Sequence, residues 1–289
     1  MFTGGGDTAQ EIQEIAEDFY PKVTSDLGHS VKRKITIWFC ESQKEFSRAV
    51  NAPIQDWAAG CAYPLQLRVV IRDPASMEDK RLNLSRLVKH EIAHVILGNY
   101  LDQNLKNVPM WFNEGVVMYE ADEWSYGHYW TMLIGTLSDS LIPLSDLSEE
   151  FPRIEAQAQK AYAQSCSVVS FMVRRYGVES LKECIRLLST GREFDEALAS
   201  ATGTETFWLE NKWLKELKRH YRWFSLISSW VVFWGVVILI LSIAFVRRKV
   251  KNRRIIKQWE EEEELWQVLD EEAEEEDEDT ESETWTYRW

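Results

Sequence analysis

Residues 84–100 read LSRLVKHEIAHVILGNY, and the five residues His90-Glu91-Ile92-Ala93-His94 within them decide how the rest of the chain is read. The segment has the apolar spacing of a helix, and in a helix residues i and i+4 share one face, so both imidazoles can reach a single metal ion. Neutral imidazole is a good zinc ligand, and a Glu beside the first His lies close enough to act on a water in the fourth coordination position. Zinc lowers the pKa of such a water. Glu91 can then take its proton, deliver hydroxide to a peptide carbonyl and pass the proton to the leaving amine. The chain has only five histidines, and two of them stand here with the Glu between them.

A catalytic zinc wants a third protein ligand. The next helical stretch, 110–121, opens with Pro109-Met110-Trp111-Phe112-Asn113-Glu114-Gly115 and offers Glu114 for that place. Upstream, Ile12, Ile15, Ala16 and Phe19 fall at helical spacing over 8–20, and Pro21 reads as a stop. Residues 34–40 (KITIWFC) read as a strand, 43–50 as a short helix and 67–71 (LRVVI) as a second strand ended by Asp73-Pro74. Downstream, 157–176, 179–188, 194–200 and 205–221 read as helices punctuated by Gly177, Gly191 and Gly203. A small sheet followed by a helical body is an α+β arrangement, and no internal repeat is visible.

These residues resemble the gluzincins, the zinc peptidases that include thermolysin and the aminopeptidase N family, and most closely the peptidase MA-like proteins. The resemblance implies that His90, His94 and Glu114 are the metal ligands, that Zn2+ is the cofactor and that Glu91 is the general base. Nineteen residues separate His94 from Glu114, as in the thermolysin pattern, and Asn113-Glu114-Gly115 resembles the aminopeptidase N context. The likeness runs over roughly 35–221, including Trp57-Ala58-Ala59-Gly60, Ala161-Tyr162 and 194–203. The Gly-x-Met-Glu-Asn motif that holds a free amino terminus in aminopeptidase N-like enzymes is absent, so the expected activity is endopeptidase. Thermolysin carries an Asp four residues after its third ligand, where this chain has Met118; Glu120 and Asp122 are the nearby candidates to orient a ligand histidine. Related enzymes supply an oxyanion donor from a Tyr or His downstream of the third ligand, and Tyr162 is the choice here, with His128 as the alternative. Strand 67–71 precedes the zinc helix as the substrate-pairing edge strand does in gluzincins.

Residues 224–246 (FSLISSWVVFWGVVILILSIAFV) run for 23 residues without a charge, enough to cross a bilayer as a helix, and Trp223, Trp230 and Trp234 suit its interface. The domains are therefore 1–222, a peptidase MA-like domain; 224–246, a transmembrane helix; and 247–289, a basic juxtamembrane segment and acidic tail. Five Lys or Arg lie in 212–222 against seven in 247–257, which places the tail in the cytoplasm and the peptidase domain outside it, on a single-pass protein of the cell membrane. No signal peptide is read at the N-terminus, so the natural gene is expected to begin upstream with an export signal. The net charge of −14 belongs to the tail: residues 260–289 sum to −15 and the other 259 to +1. That near-neutral body excludes a large basic surface for nucleic acid. The tail reads as disordered, with Trp259, Leu265, Trp266 and Leu269 at helical spacing, and Trp285, Tyr287 and Trp289 beyond them, as a hint of a protein partner. Cys40, Cys61, Cys166 and Cys184 read as buried free thiols, with one or two disulfides expected if the domain lies outside the cytoplasm. Two functions follow: a membrane-anchored zinc endopeptidase acting on peptides or proteins, or a catalytically idle gluzincin-like domain that binds a partner or signals.

Overall fold

The structure, a computed structural model, describes the backbone of residues 6–51, 58–77 and 83–283, with side chains over 7–51, 58–77, 83–221 and 230–253. Trp57, Trp285, Tyr287 and Trp289 lie outside the described residues, as do the side chains of Trp259, Leu265, Trp266 and Leu269. Contacts divide the chain into two units, Met1–Tyr221 and Arg222–Trp289.

In the first unit, helix α1 (Gly6–Leu27) contains Pro21 rather than ending at it. The proline forfeits one backbone donor, but the apolar seam Ile12, Phe19, Val23 and Leu27, all buried, continues past it and keeps the helix packed on α3 (Leu84–Leu101). Strand β1 (Thr36–Cys40) leads into α2 (Gln43–Val50), whose Phe46 and Val50 pack with Cys40 and Val70 beside the sheet. Strands β2 (Gly60–Tyr63) and β3 (Arg68–Arg72) follow.

The strand order is β1-β3-β2. β1 pairs parallel with β3 from Thr36↔Arg68 to Cys40↔Arg72, and β2 pairs antiparallel with it from Gly60↔Ile71 to Tyr63↔Arg68. The 67–71 segment is therefore the centre of the sheet and not an edge. Its run Val69, Val70, Ile71 is fully buried, as a strand covered on both faces must be. The edge beside α3 is β2, whose short Gly-Cys-Ala-Tyr sequence carries too little β-branched character to be read as a strand.

Ten of the residues of α3 are buried and on several sides of the helix, among them Leu87, Ile92, Val95, Ile96 and Leu101, because α1, the sheet, α4 and α7 all pack on it. Helices α4 (Met110–Glu120), α5 (Tyr126–Leu137), α6 (Glu155–Tyr176), α7 (Val178–Ser189) and α8 (Phe194–Thr202) build the rest of the body. α4 and α6 pack closely at Gly115, where a Cβ would strike the backbone of Ser165. The four cysteines are free thiols, three buried and Cys61 half-buried, so the disulfides expected for an exported domain are not formed.

Helix α9 (Thr206–Glu283) enters the second unit. Within it, the described residues Trp230–Arg253, 24 in number, form a helix long and apolar enough to cross a membrane, and the 224–246 stretch read from sequence overlaps it from Trp230 onward. The acidic stretch 260–283, expected to be disordered, is helical to Glu283. Glu, Leu, Gln and Ala are strong helix formers, and that preference prevails over like-charge repulsion along the backbone.

Candidate metal centre

The site is assembled by two helix starts and one helix end. α3 begins at Asn83, whose side chain accepts from the Ser85 and Arg86 amides, and it carries His90, Glu91 and His94 through the middle of the unit. α4 begins at Pro109, and its first free amides, Met110 and Trp111, donate to the carbonyls of Ser148 and Leu147. Trp111 and Phe112 are fully buried and stack edge to face with Phe194, which fixes the rotation of α4 and turns Glu114 toward α3.

The three predicted ligands converge. His90 Nε2 and His94 Nε2 are 3.1 Å apart, and Glu114 Oε2 lies 3.8 and 3.4 Å from them respectively. A tetrahedral ion with bonds of about 2.0–2.1 Å has its ligand atoms about 3.3–3.4 Å apart, so these three atoms outline one face of such a tetrahedron. His90, His94 and Glu114 could hold a metal ion.

Sequence reading placed the partner of a ligand histidine at Glu120 or Asp122, and the structure puts it at Glu123. His90 Nδ1 lies 2.8 Å from Glu123 Oε1. A carboxylate can only accept, so Nδ1 carries the hydrogen and Nε2 is left to face the other ligands. Glu120 is instead bound by Lys22 of α1 at 2.8 Å. Asp122 serves through its backbone: at φ 52 it takes the left-handed conformation, and Asp122 and Glu123 donate their amides to Tyr119 and Met118. That double-bonded helix end folds Glu123 back toward α3. Glycine usually signals it in sequence, and here the position is an Asp.

Three carboxylates, Glu91, Glu114 and Glu123, surround two imidazoles. Burial alone would discharge His90, but the charges of Glu123, Glu91 and Glu114 outweigh it and push its pKa up to about 10. Burial raises Glu114, yet the neighbouring His94 and His90 hold it below the ordinary carboxylate value. A site that favours positive charge so strongly at its centre fits a divalent cation. Glu91 is pushed upward by burial, only partly offset by the two histidines. Its carboxylate lies directly on β2: a Cβ at Gly60 would collide with it, so only glycine lets the strand approach.

Tyr162 of α6 packs its ring edge to face on Phe151. Burial and then the charges of Glu114, Glu91 and Glu123 drive its phenol pKa strongly up, which marks it as a neighbour of the cluster and a neutral hydroxyl at any ordinary pH. His128 is occupied in capping α5: its amide donates to Ser125 Oγ, and its Nδ1 accepts from the Ser125 amide at 3.4 Å. Its ring lies against Trp124, and burial lowers its pKa.

The family model described as the Peptidase MA superfamily matches residues 15–219. No curated protein matches the chain.

Proposed function

The chain belongs to the Peptidase MA superfamily, and from that premise we propose that it is a membrane-anchored zinc metallopeptidase that cleaves within peptide or protein chains. The observation that carries this reading is the triangle of His90, His94 and Glu114 with Glu91 beside it and Glu123 behind it. Two imidazoles and one carboxylate at tetrahedral spacing suit zinc among the common divalent ions. When bound, the ion supplies Lewis acidity, drawing electron density from a carbonyl oxygen and from a water.

The residues of the chain divide the remaining work. Glu123 holds the His90 tautomer. Glu91 accepts the proton of the attacking water on its carboxylate and returns it to the leaving amine nitrogen as the C–N bond breaks. A base raised by burial exchanges that proton more readily near neutral pH than an ordinary carboxylate. Tyr162 keeps its hydroxyl proton and donates it as a hydrogen bond to the oxyanion that develops on the carbonyl. The edge of β2 next to Glu91 offers main-chain groups with which an extended polypeptide can pair, which suits cleavage inside a chain. The helix at Trp230–Arg253 supplies the anchor.

The test combines metal analysis of the purified full chain with cleavage of an unstructured protein such as casein. One zinc per chain and cleavage are expected. Glu91→Gln should keep the metal and lose at least about 100-fold in rate, the range of a general base. A chain that binds metal but cleaves nothing in either form is the idle binding domain instead.

A further inference from the structure

Helix α5 is a surface helix without a single Asp, Glu, Lys or Arg between Tyr126 and Leu137. Its exposed side chains are Tyr126, Trp130, Ile134 and Leu137, with Tyr126 76 % and Ile134 62 % accessible. At 3.6 residues per turn these four positions fall within an arc of about 80°, one continuous apolar stripe. Helices facing water carry charge on that side. Trp124, also exposed, extends the stripe past the start of the helix.

The stripe has the composition of a membrane interface, with Trp and Tyr at one end and Ile and Leu at the other. Basic groups border the Leu137 end: Lys160 Nζ lies 3.0 Å from the Ser140 carbonyl oxygen, and Lys218 Nζ lies 2.8 Å from Asp139 Oδ1. The fold also ties α5 to the segment that precedes the apolar span, since the Tyr129 and Tyr221 rings pack at 5.7 Å. Only eight residues separate Tyr221 from Trp230, where the described part of the apolar stretch begins, a reach of no more than about 30 Å even when fully extended.

We propose that the outer stripe of α5 lies in the interfacial layer of the same membrane that the 230–253 helix crosses, so that the metal centre works on polypeptide segments at the bilayer surface. The centre is near this face: Glu123, which holds His90, is three residues before Tyr126, and the exposed Trp124 stands between them. A lipid surface is favoured over a second copy of the chain because the same short connection that anchors the body also limits how far α5 can stand from the bilayer. The substrate class rests on the metallopeptidase reading, and the docking of α5 rests on the membrane reading.

The test uses the full chain in vesicles of phosphatidylcholine with a minority of phosphatidylglycerol. The photoreactive residue benzoylphenylalanine is introduced, one position at a time, at Ile134, Tyr126, Leu239 in the span and Glu179 on α7. Mass spectrometry should find phospholipid captured at Ile134 and Tyr126 several-fold above Glu179 and in a yield comparable with Leu239. Capture of a second copy of the chain at Ile134, or a yield equal to that at Glu179, overturns the proposal. If Leu239 captures lipid and α5 does not, only this inference falls. If Leu239 also fails, the membrane reading falls with it. The readout does not depend on cleavage, so the metallopeptidase reading stands or falls separately.

Discussion

At the scale of single residues, the most consequential contact is one between a turn and a helix. Glu123 reaches His90 only because Asp122 takes a left-handed conformation, and the bond it makes selects which imidazole nitrogen faces His94 and Glu114. Outer partners of this kind are worth about 10–100-fold in metal affinity. Glu123→Gln should therefore weaken metal binding by that order, read as the free chelator concentration at which the ion is lost, while leaving Glu91 in place. An unchanged chelator midpoint would show that Glu123 has no hold on the metal. The clustering of His90, Glu91, His94 and Glu114 was legible in sequence because helical periodicity alone brings residues i and i+4 together, and Glu114 is announced by its own helix. Glu123 was not, since a side chain that returns across a turn depends on a backbone angle that the Asp does not advertise.

At the scale of elements, β2 and the α1–α4 contact each lead to an expectation. β2 approaches α3 so closely at Gly60 that a methyl group would displace the Glu91 carboxylate. Misplacement by an ångström is costly in catalysis, so Gly60→Ala should lower kcat/KM by on the order of 100-fold. The metal, held by other residues, should remain, and loss of both together would point to a wider collapse of the strand. The second expectation concerns Glu120, fully buried, with Lys22 2.8 Å away and Oε1 lacking a hydrogen-bond partner. Burial, only partly offset by Lys22, pushes its pKa up to about 7, with Asp26 of α1 adding to the rise. A carboxyl whose pKa is higher folded than unfolded contributes stability that is present below its ordinary value and is lost as pH rises through about 7. Glu120→Gln, which stays neutral, should gain on the parent between pH 5 and pH 8 by on the order of 1–3 kcal/mol in unfolding free energy. A difference between the two proteins that does not vary with pH would assign the dependence to other groups.

At the scale of the whole molecule, the sides of the membrane are a proposal that rests on charge. Seven bases in 247–257 against five in 212–222 favour a C-terminal segment in the cytoplasm and a 1–221 unit outside it. The expected result on intact cells is that added protease digests the 1–221 unit and spares the tail. Protection of that unit with digestion of the tail inverts the topology and gives the enzyme cytoplasmic substrates.

By itself the sequence determined the members of the candidate metal cluster and the family: two histidines one turn apart with a glutamate between them and a carboxylate on the following helix, with 23 uncharged residues long enough to cross a membrane beyond them. Each of these is written in local spacing, which helical geometry converts directly into proximity. Tertiary structure decided what depends on partners distant in sequence. It made 68–72 the centre of the sheet and β2 its edge, carried α1 through Pro21 on the strength of its packing, returned Glu123 to His90 and left Tyr126, Ile134 and Leu137 of α5 exposed. Strand order and side-chain pairing across turns are set by which surfaces bury one another, and no window along the chain contains both surfaces at once.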